Sequence, residues 1–413
     1  MFAIISDLIE LLDDSDEVFI TKEHYGQREY VMRCLNTCSV LSLLFVLLFP
    51  LSSLADNTDL TRPLYLGQSC ALTGPTKNLG LEMRAGLLAA FAEANQAGGV
   101  SGREIVLLSR DDGYEPYRAV QNARKFIDQD KVFLLIGAVG TPTSEAVIAI
   151  TEKERIPFFA PYTGAEFLRT PFKKYVINIR GSYYQEMEKV VSYFVDTLKL
   201  TRISCFYQND SFGYTGLRGA EIALQKRGLQ LVSTGTYERN TVAVLGGMKD
   251  IHKENPQAVL LVGAYAACVE FIKLSTLRYS DSIRFSNISF VGSVSLQKAL
   301  GEFGKNVIIS QVVPFPWNSE IPLIRDYVMA LDTYQHEHTP DFTSLEGYIA
   351  GRLFTAIARK VQGELTREKF IKTMEEVGRF DLGGLVFQFG PQDHQGMDTI
   401  LLTSIFPNFL VIE

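Results

Sequence analysis

Two turns that carry hydroxyl groups each follow a strand-like apolar run. The first is IGAVGTPTSEA, residues 136–146, and the second is FAPYTGAEFLR, residues 159–169. Thr141 and Thr163 each bring a hydroxyl to the point where a helix is expected to begin. Backbone N–H groups at such helix starts attract anions, and a carboxylate is a natural occupant. One such turn is most simply a helix cap, but two on successive strands indicate a binding site.

The other motifs of the chain argue against catalysis and nucleotide binding. ALTGPTKNLG, residues 71–80, has glycines but lacks the G-K-[ST] ending of a phosphate loop, and residues 136–146 lack G-x-G-x-x-G. No G-x-S-x-G or H-E-x-x-H occurs, and no histidine falls in a strand-end loop of the expected α/β units. The cysteine spacing matches no metal site. We therefore expect a protein that is not an enzyme and that needs neither a cofactor nor a metal.

Length and charge limit the class of protein further. The chain has 413 residues, of which 46% are hydrophobic, enough for two domains with cores of their own. The formal net charge is −7, and residues 1–31, with eight acidic and two basic side chains, hold most of it. Because no basic stripe stands out, nucleic acid is not an expected partner.

A secretory signal peptide is expected at residues 32–55, MRCLNTCSVLSLLFVLLFPLSSLA. A basic residue near its start, an apolar stretch at 39–49 and the small-x-small ending Ser53-Leu54-Ala55 fit this assignment. The apolar stretch is too short for a comfortable membrane span. We therefore expect a periplasmic protein, with translation beginning at Met32 and residues 1–31 a non-native extension. A long leading region or an uncleaved anchor is the alternative.

Cleavage after residue 55 leaves Cys70, Cys205 and Cys268 in the mature chain. An odd number means that at least one thiol is free or pairs with another molecule. A Cys205–Cys268 bridge stays open as an alternative. No cysteine follows the cleavage site, so a lipid-anchored form is not expected.

The mature chain reads as two α/β units. From residue 63, short continuous apolar runs alternate with amphipathic helix patterns, and the alternation restarts near residue 183. This pattern predicts parallel strands covered by helices on both faces. After residue 311 the rhythm breaks into helices followed by a pair of strands. Ligands of open parallel sheets bind beyond the carboxyl ends of the strands, where Thr141 and Thr163 are expected.

Six segments share an order that is specific as a set, although each is modest alone. They are residues 72–116 (LTGPTKNLG to SRDDGYEP), IGAVGTPTSEAV, APYTGAEFLR, NDSFGYTGLRG, GYIAGRLFTAIAR and FDLGGLVFQFG. In these segments the chain resembles the type I periplasmic solute-binding proteins, specifically the branched-chain amino-acid (Leu/Ile/Val) binding group of ABC importers. The resemblance covers almost all of residues 60–413. It implies two doubly wound α/β lobes joined by a three-stranded hinge, which close on a ligand.

The resemblance also implies where the chain crosses between the lobes. The crossings are expected near Asn178–Gly181, near Ser310–Val313 and near Phe380–Leu385. Gly383-Gly384 is the expected site of the third crossing, because glycine adopts the unusual dihedral angles that a hinge can require.

The same resemblance divides residues 60–413, taken as one ligand-binding module, into two lobes. Lobe 1 would combine residues 60–179 with 314–380. Lobe 2 would combine residues 181–310 with 384–413.

The family's ligand contacts fall on named positions of this chain. The hydroxyl that binds the ligand carboxylate aligns with Thr141. The turn that wraps the same carboxylate aligns with Tyr162, Thr163 and Gly164. The remaining contacts are apolar or aromatic and align with Leu79 in lobe 1 and with Phe212 and Tyr265 in lobe 2.

One position departs from the family pattern. The acidic residue that binds the ligand ammonium in the family is replaced here by Val294, between Ser293 and Ser295. A buried ammonium without a carboxylate would be costly. The ligand is therefore expected to be a small carboxylate or amide with an apolar part, or a hydrophobic amino acid whose ammonium is bound differently. In the second case Asp210, near Phe212, is the first candidate to replace the acid.

The function implied is that of a secreted, monomeric solute-binding protein. It would capture a small amino acid or related carboxylate or amide and deliver it to the permease of an ABC transporter. The alternative is a receptor module of the same fold that signals to a membrane kinase, and no feature of the sequence separates the two.

Overall fold

The computed structural model describes residues 62–412. The expected extension, residues 1–31, and the expected signal peptide, residues 32–55, lie outside the described residues. Among residues 62–412, every helix is too short or too polar to cross a membrane.

The first α/β unit, here called the first lobe, is built on a five-stranded parallel sheet in the order β2-β1-β3-β4-β5. Its strands are β1 (Leu64–Cys70), β2 (Ile105–Asp111), β3 (Leu135–Ile136), β4 (Phe158–Phe159) and β5 (Val176–Ile177). The helices between them are α1 (Lys77–Gln96), α2 (Pro116–Asp128) and α3 (Thr141–Lys153). The strands after β2 are short, and the turns that follow β3 and β4 carry the hydroxyl groups.

The second α/β unit, the second lobe, begins after β5. Its parallel strands are β6 (Ile203–Gln208), β7 (Thr234–Tyr237), β8 (Ala258–Val262), β9 (Arg284–Asn287) and β10 (Val307–Gln311). Its helices are α4 (Tyr183–Ser192), α5 (Ser211–Gln225), α6 (Leu245–His252), α7 (Tyr265–Arg278) and α8 (Ser293–Leu300). The central strand β8 reads AVLLV and is buried throughout, as expected for a strand covered on both faces.

The rest of the chain returns to both lobes. It forms α9 (Pro322–Tyr334), α10 (Phe342–Ala358), α11 (Arg367–Val377), β11 (Arg379–Asp381), β12 (Val386–Gln388), β13 (Leu401–Ser404) and β14 (Leu410–Ile412). Strand β13 pairs antiparallel with β10, and β14 pairs with β13, so the second sheet has the order β14-β13-β10-β9-β8-β6-β7.

Helix α10 packs closely on α1 and so joins the first lobe. Two glycines make this possible. A Cβ on Gly86 would lie 1.8 Å from the carbonyl oxygen of Ser344, and one on Gly347 would lie 2.3 Å from that of Met83. The two helix backbones therefore approach to a distance that no side chain at these positions would allow. This packing fixes the position of the start of α10 beside the strand ends of the first sheet.

Residues Phe380–Leu385, where the third crossing is expected, form a hairpin. Strands β11 and β12 pair as a hairpin, and Gly383-Gly384 forms its turn with φ values of 90° and 100°. The carboxylate of Asp381 accepts hydrogen bonds from both glycine N–H groups. Two consecutive residues at positive φ are what a tight hairpin turn requires. The glycine pair therefore makes a hairpin, and its carbonyl at Gly383 accepts from the N–H of Leu323 at the start of α9.

The residues expected to form the first crossing pair with the chain near Gln395, more than ten residues after the glycine pair. Asn178 forms a parallel bridge with Gln395, donating to the carbonyl of His394 (2.8 Å) and accepting from the N–H of Gly396 (2.8 Å). The chain rejoins the second sheet at β13, and the boundary of lobe 2 at residue 384 stays a prediction.

Cys70, Cys205 and Cys268, the three cysteines within residues 62–412, are free and buried. The alternative of a Cys205–Cys268 bridge is therefore wrong in this structure. Cys205 lies in the buried face of β6 and Cys268 lies on α7, each packed among apolar side chains.

Candidate functional site

Two threonine hydroxyls meet where β3 and β4 end. The two strands pair in parallel, and a bridge between Val139 and Tyr162 continues the pairing into the turns. Thr141 Oγ1 lies 2.7 Å from Thr163 Oγ1, and both side chains are fully buried. Helix α3 is capped by Gly140 and not by a threonine side chain. The hydroxyl of Thr141 is therefore not used as a helix cap. It contacts Thr163 Oγ1 at the start of α3, where backbone N–H groups favour an anion.

The turn after β4 is held in a costly conformation. Ala160 has a φ of +51°, which is unfavourable for a residue with a Cβ. The N–H of Tyr162 donates to the carbonyl of Ala138 (2.7 Å), and the N–H of Ala165 donates to Thr163 Oγ1 (3.2 Å). Such strain often accompanies a functional site, and here it fixes the turn that faces the second lobe.

Gly164 brings this turn against the start of α4. Its carbonyl accepts a hydrogen bond from the N–H of Tyr183 at 2.7 Å. A Cβ on Gly164 would lie 2.8 Å from that nitrogen and 2.5 Å from the Tyr183 ring, so only glycine fits. The contact places the Tyr183 hydroxyl 3.5 Å from Thr141 Oγ1. Three hydroxyl groups thus converge at the strand ends.

Aromatic side chains form the opposite wall. Phe212, at the start of α5, is fully buried, with its ring centroid 5.5 Å from Tyr183 and 4.6 Å from Phe290. The Phe290 ring lies 5.6 Å from Tyr162, and the Tyr162 hydroxyl donates to the carbonyl of Ser289 (3.2 Å). Tyr183 is thus next to both Phe212 and Thr141, so only this side chain separates Phe212 from Thr141.

A second contact between the lobes joins Leu79 to Gly292. A Cβ on Gly292, which has a φ of +81°, would lie 2.9 Å from Leu79 Cδ2 and 3.8 Å from the Tyr265 ring. Leu79 and Tyr265 thus approach each other across the lobes. Val294 lies two residues further along, at the second position of α8, and is buried.

Polar contacts also join loops of the two lobes. Arg239, after β7, donates to Glu115 of the first lobe (3.1 Å). Asn240 donates to the carboxylate of Glu115 (2.7 Å) and to the carbonyl of Gly113 (3.0 Å). These four residues are called the mouth contacts below. Because they join loops of different lobes, they exist only when the lobes are closed.

Asp210, the sequence-based candidate to replace the missing acid, already has partners within the protein. Its carboxylate caps α5 by accepting from the N–H of Phe212 (3.0 Å), and it also accepts from Gln208 (2.7 Å) and Arg239 (2.9 Å). Asp210 therefore stabilises the start of α5 in the second lobe and holds Arg239, one of the residues of the mouth contacts.

The sequence analysis missed a buried charge cluster beside the site. Arg180, shortly after β5, lies with its guanidinium carbon 4.6 Å from the centre of the Tyr162 ring. Its nitrogens lie 3.6 Å from Glu346 of α10 and 3.7 Å from Glu186 of α4. All three charged side chains are almost fully buried. A signal was present, because Arg180 ends the apolar run YVINIR and Glu346 interrupts SLEGYIAGRLF.

Tyr114 is another buried residue that sequence reasoning missed. Its hydroxyl accepts from Gln208 of the second lobe (3.2 Å), and its ring lies 6.0 Å from Phe290. Burial raises the pKa of Tyr114 well above its usual range. Tyr114 follows the acidic pair in SRDDGYEP, which is part of a segment that carries the family resemblance.

No group of three His, Cys, Asp or Glu side chains within residues 62–412 could hold a metal ion. What the arrangement offers is a set of hydroxyl groups and a helix start for an anion, enclosed by aromatic rings from both lobes.

Comparison with known proteins is consistent with this geometry. The family model described as periplasmic binding protein matches residues 63–407. The Leu/Ile/Val-binding protein homolog 7 of Brucella suis biovar 1 (strain 1330) is 24% identical over 324 residues, which cover 75% of this chain and 80% of that protein.

Two solved structures show the same fold. A possible leucine/isoleucine/valine-binding protein from Rhodopirellula baltica SH 1 superposes with a TM-score of 0.82 and 35% identity, covering 87% of this chain and 98% of that one. A solute-binding protein of an ABC transporter from R. palustris, in complex with benzoate, has a TM-score of 0.75 and 19% identity, covering 85% and 95% of the two chains.

The chain therefore belongs to the periplasmic binding protein family, in the type I group that includes the Leu/Ile/Val-binding proteins. The predicted family and fold class are confirmed.

Proposed function

We propose that this protein captures a small amino acid, or a related carboxylate or amide, between its two lobes and delivers it to an ABC importer in the periplasm. The Thr141–Thr163 hydroxyl pair carries the proposal. It lies at the ends of adjacent parallel strands, beside the start of α3, where a carboxylate is favoured.

The surroundings of this pair support an apolar remainder of the ligand. Leu79 and Tyr162 come from the first lobe, and Phe212 and Tyr265 come from the second. A ligand held among them would be enclosed by aromatic and aliphatic surface, with its carboxylate at the hydroxyl groups. Val294 offers no charge for an ammonium group, so the site suits a carboxylate without an amine as well as an amino acid whose ammonium is bound differently.

The relatives support transport and binding over catalysis. The Brucella protein is named for Leu, Ile and Val binding, and the R. palustris protein is an ABC transporter solute-binding protein seen with benzoate. An aliphatic amino acid and an aromatic acid both present a carboxylate and an apolar group, which are the two features that our proposed site accommodates.

A thermal-shift screen tests the proposal, since a ligand that binds the folded state raises the unfolding temperature by mass action. The probes are L-leucine, L-phenylalanine, 4-methylpentanoate, 3-phenylpropanoate, benzoate and isobutyramide. We expect at least one probe to raise the unfolding temperature in a concentration-dependent way. The proposal fails if none of these probes raises the unfolding temperature.

A further inference from the structure

A polar cavity of about 460 Å³ lies where the segment around Gln395 meets both lobes. Its lining comes from residues 166–173 of the first lobe, from residues 392–398 and from the start of α4 in the second lobe. The cavity shares no lining residue with the hydroxyl site around Thr141. It is therefore a second place where a small molecule can be enclosed.

Two buried polar atoms of the cavity lining have no hydrogen-bond partner within residues 62–412. They are Oδ1 of Asn178 and Nδ1 of His394, in residues that are 3% and 4% exposed. The other ends of both side chains are fixed, because Nδ2 of Asn178 donates to the Leu168 carbonyl (3.2 Å) and Nε2 of His394 lies 3.0 Å from Glu375. A carboxylate can only accept, so Nε2 carries the proton and Nδ1 of the neutral ring is an acceptor. Both unpartnered atoms are therefore acceptors, which are costly to leave unpaired.

The two cationic side chains of the lining already donate to the protein. Arg169 donates from Nε to Gln395 (2.6 Å) and from its two terminal nitrogens to backbone carbonyls (2.9 and 2.8 Å). Lys173 donates to the carbonyl of Pro171 (3.1 Å). These cations therefore pair with groups of the protein and leave the two buried acceptors unpaired.

Three carboxylates also line the cavity, and they outnumber the two cations. Glu166 accepts from the Thr170 hydroxyl through Oε1 (3.2 Å), and Asp393 accepts from the N–H of Gln395 through Oδ1 (2.9 Å). Asp398 accepts from Gln395 and from the side chain of α4 at residue 185. What the cavity lacks is therefore a hydrogen-bond donor, and its carboxylates favour a donor with positive charge.

We propose that this cavity binds a small primary amine, whose ammonium group donates to the Asn178 and His394 acceptors. The two acceptors belong to neighbouring residues, because the N–H of Asn178 donates to the His394 carbonyl (2.8 Å). An ammonium group carries three N–H donors and no acceptor, so it supplies what the lining lacks. The Phe172 ring, 4.9 Å from the His394 ring, offers apolar surface to the carbon chain of the amine. This site goes beyond the proposed function, since it does not use the hydroxyl groups.

The test is calorimetry on the mature chain at neutral pH with 1,4-diaminobutane as the probe. Its partners of equal chain length are 1,4-butanediol, which is neutral, and succinate, which is an anion. We expect the diamine to bind and both partners to bind at least tenfold more weakly. An amine bound at the hydroxyl site instead would be unaffected by changes to the cavity lining, so variants of the lining locate the binding.

The variant E166Q/D393N removes two negative charges of the lining and keeps the oxygens that accept from the protein. Each partly exposed charge contributes up to about fivefold in affinity, so we expect the diamine to bind about tenfold more weakly. The matched control is E145Q/D332N, which removes two exposed charges outside the lining and should keep the wild-type affinity. Wild-type affinity in E166Q/D393N, or equal losses in both variants, would overturn the inference.

A second measurement does not depend on any variant. A hydrogen bond to Nδ1 shifts the ¹⁵N resonance of an imidazole ring, so the diamine should move the Nδ1 resonance of His394 in the wild type. The other histidines of the mature chain are internal references and should not change. A His394 resonance that stays in place at saturating diamine would overturn the inference, as would butanediol binding as tightly as the diamine or no binding of the diamine at all.

Discussion

Removing the Glu115 carboxylate should weaken ligand binding without greatly changing the fold. Glu115 accepts from Arg239 (3.1 Å) and from Asn240 (2.7 Å), and both donors belong to the other lobe. E115A therefore destabilises only the closed arrangement. When the lobes open, Arg239 keeps its partner Asp210 (2.9 Å).

The size of the effect follows from the exposure of the pair. The side chains of Glu115 and Arg239 are 34% and 24% exposed, so the ion pair contributes only about 0.5–1 kcal/mol. The hydrogen bond from Asn240 to the charged carboxylate adds about 0.5–1 kcal/mol at this exposure. The sum of about 1–2 kcal/mol corresponds to a five- to thirtyfold loss of affinity.

The assay is calorimetry at neutral pH with the tightest probe of the thermal-shift screen, on the wild type, E115A and E188A. Glu188 is a matched control, because it is 36% exposed and pairs with Lys226 (3.0 Å) and Arg227 (2.9 Å) inside the second lobe. We expect E188A to keep the wild-type affinity. Equal losses in E115A and E188A would refute the role of the mouth contacts in closure.

Three further predictions concern the site, the charge cluster and closure. G164A should lower the affinity at least tenfold, because its Cβ would meet the Tyr183 backbone at 2.8 Å. The control G246A, whose Cβ has open space around it, should keep the wild-type affinity. Ligand-binding measurements on both variants check this. Glu346 has a raised pKa, so the native state holds a proton that the unfolded chain releases, and stability falls as pH rises from about 4.5 to 7. Urea unfolding of the ligand-free protein should show that, between these pH values, E346Q loses about 3 kcal/mol less unfolding free energy than the wild type. An equal loss of unfolding free energy in both proteins would contradict this. Trp317, the one tryptophan of the sequence, is 45% exposed and touches aromatic rings of both lobes. Its fluorescence should therefore shift when a ligand closes the lobes, and an unchanged spectrum at saturation would argue against closure there.

The parts of the site that sequence analysis predicted are local in the chain. Thr141 and Thr163 each follow a strand and begin a helix or turn, and the parallel pairing of β3 with β4 brings them together. Their approach was therefore predictable from strand order alone. The same logic covers Phe212, at the start of the helix that follows β6.

The parts that the sequence did not predict depend on distant contacts. Arg180 and Glu346 are far apart in the chain and meet only because α10 packs on α1 through close backbone contact at Gly86. The hairpin turn at Gly383-Gly384 was taken for a hinge segment for a similar reason. A glycine pair suits a hairpin turn as well as a hinge, and only the pairing of β11 with β12 distinguishes them.

The most direct test of the account compares T141V with T143V by calorimetry, using the tightest carboxylate-bearing probe. Thr143 is a buried neighbour whose hydroxyl donates to the carbonyls of Val139 (2.8 Å) and Gly140 (3.0 Å), and so serves the helix start rather than the site. A hydrogen bond to a charged group contributes roughly 1.5–3 kcal/mol, so T141V should lose about ten- to a hundredfold in affinity. T143V should lose stability and keep its affinity. Wild-type affinity in T141V, or equal losses in both variants, would contradict the assignment of the carboxylate to the Thr141–Thr163 pair.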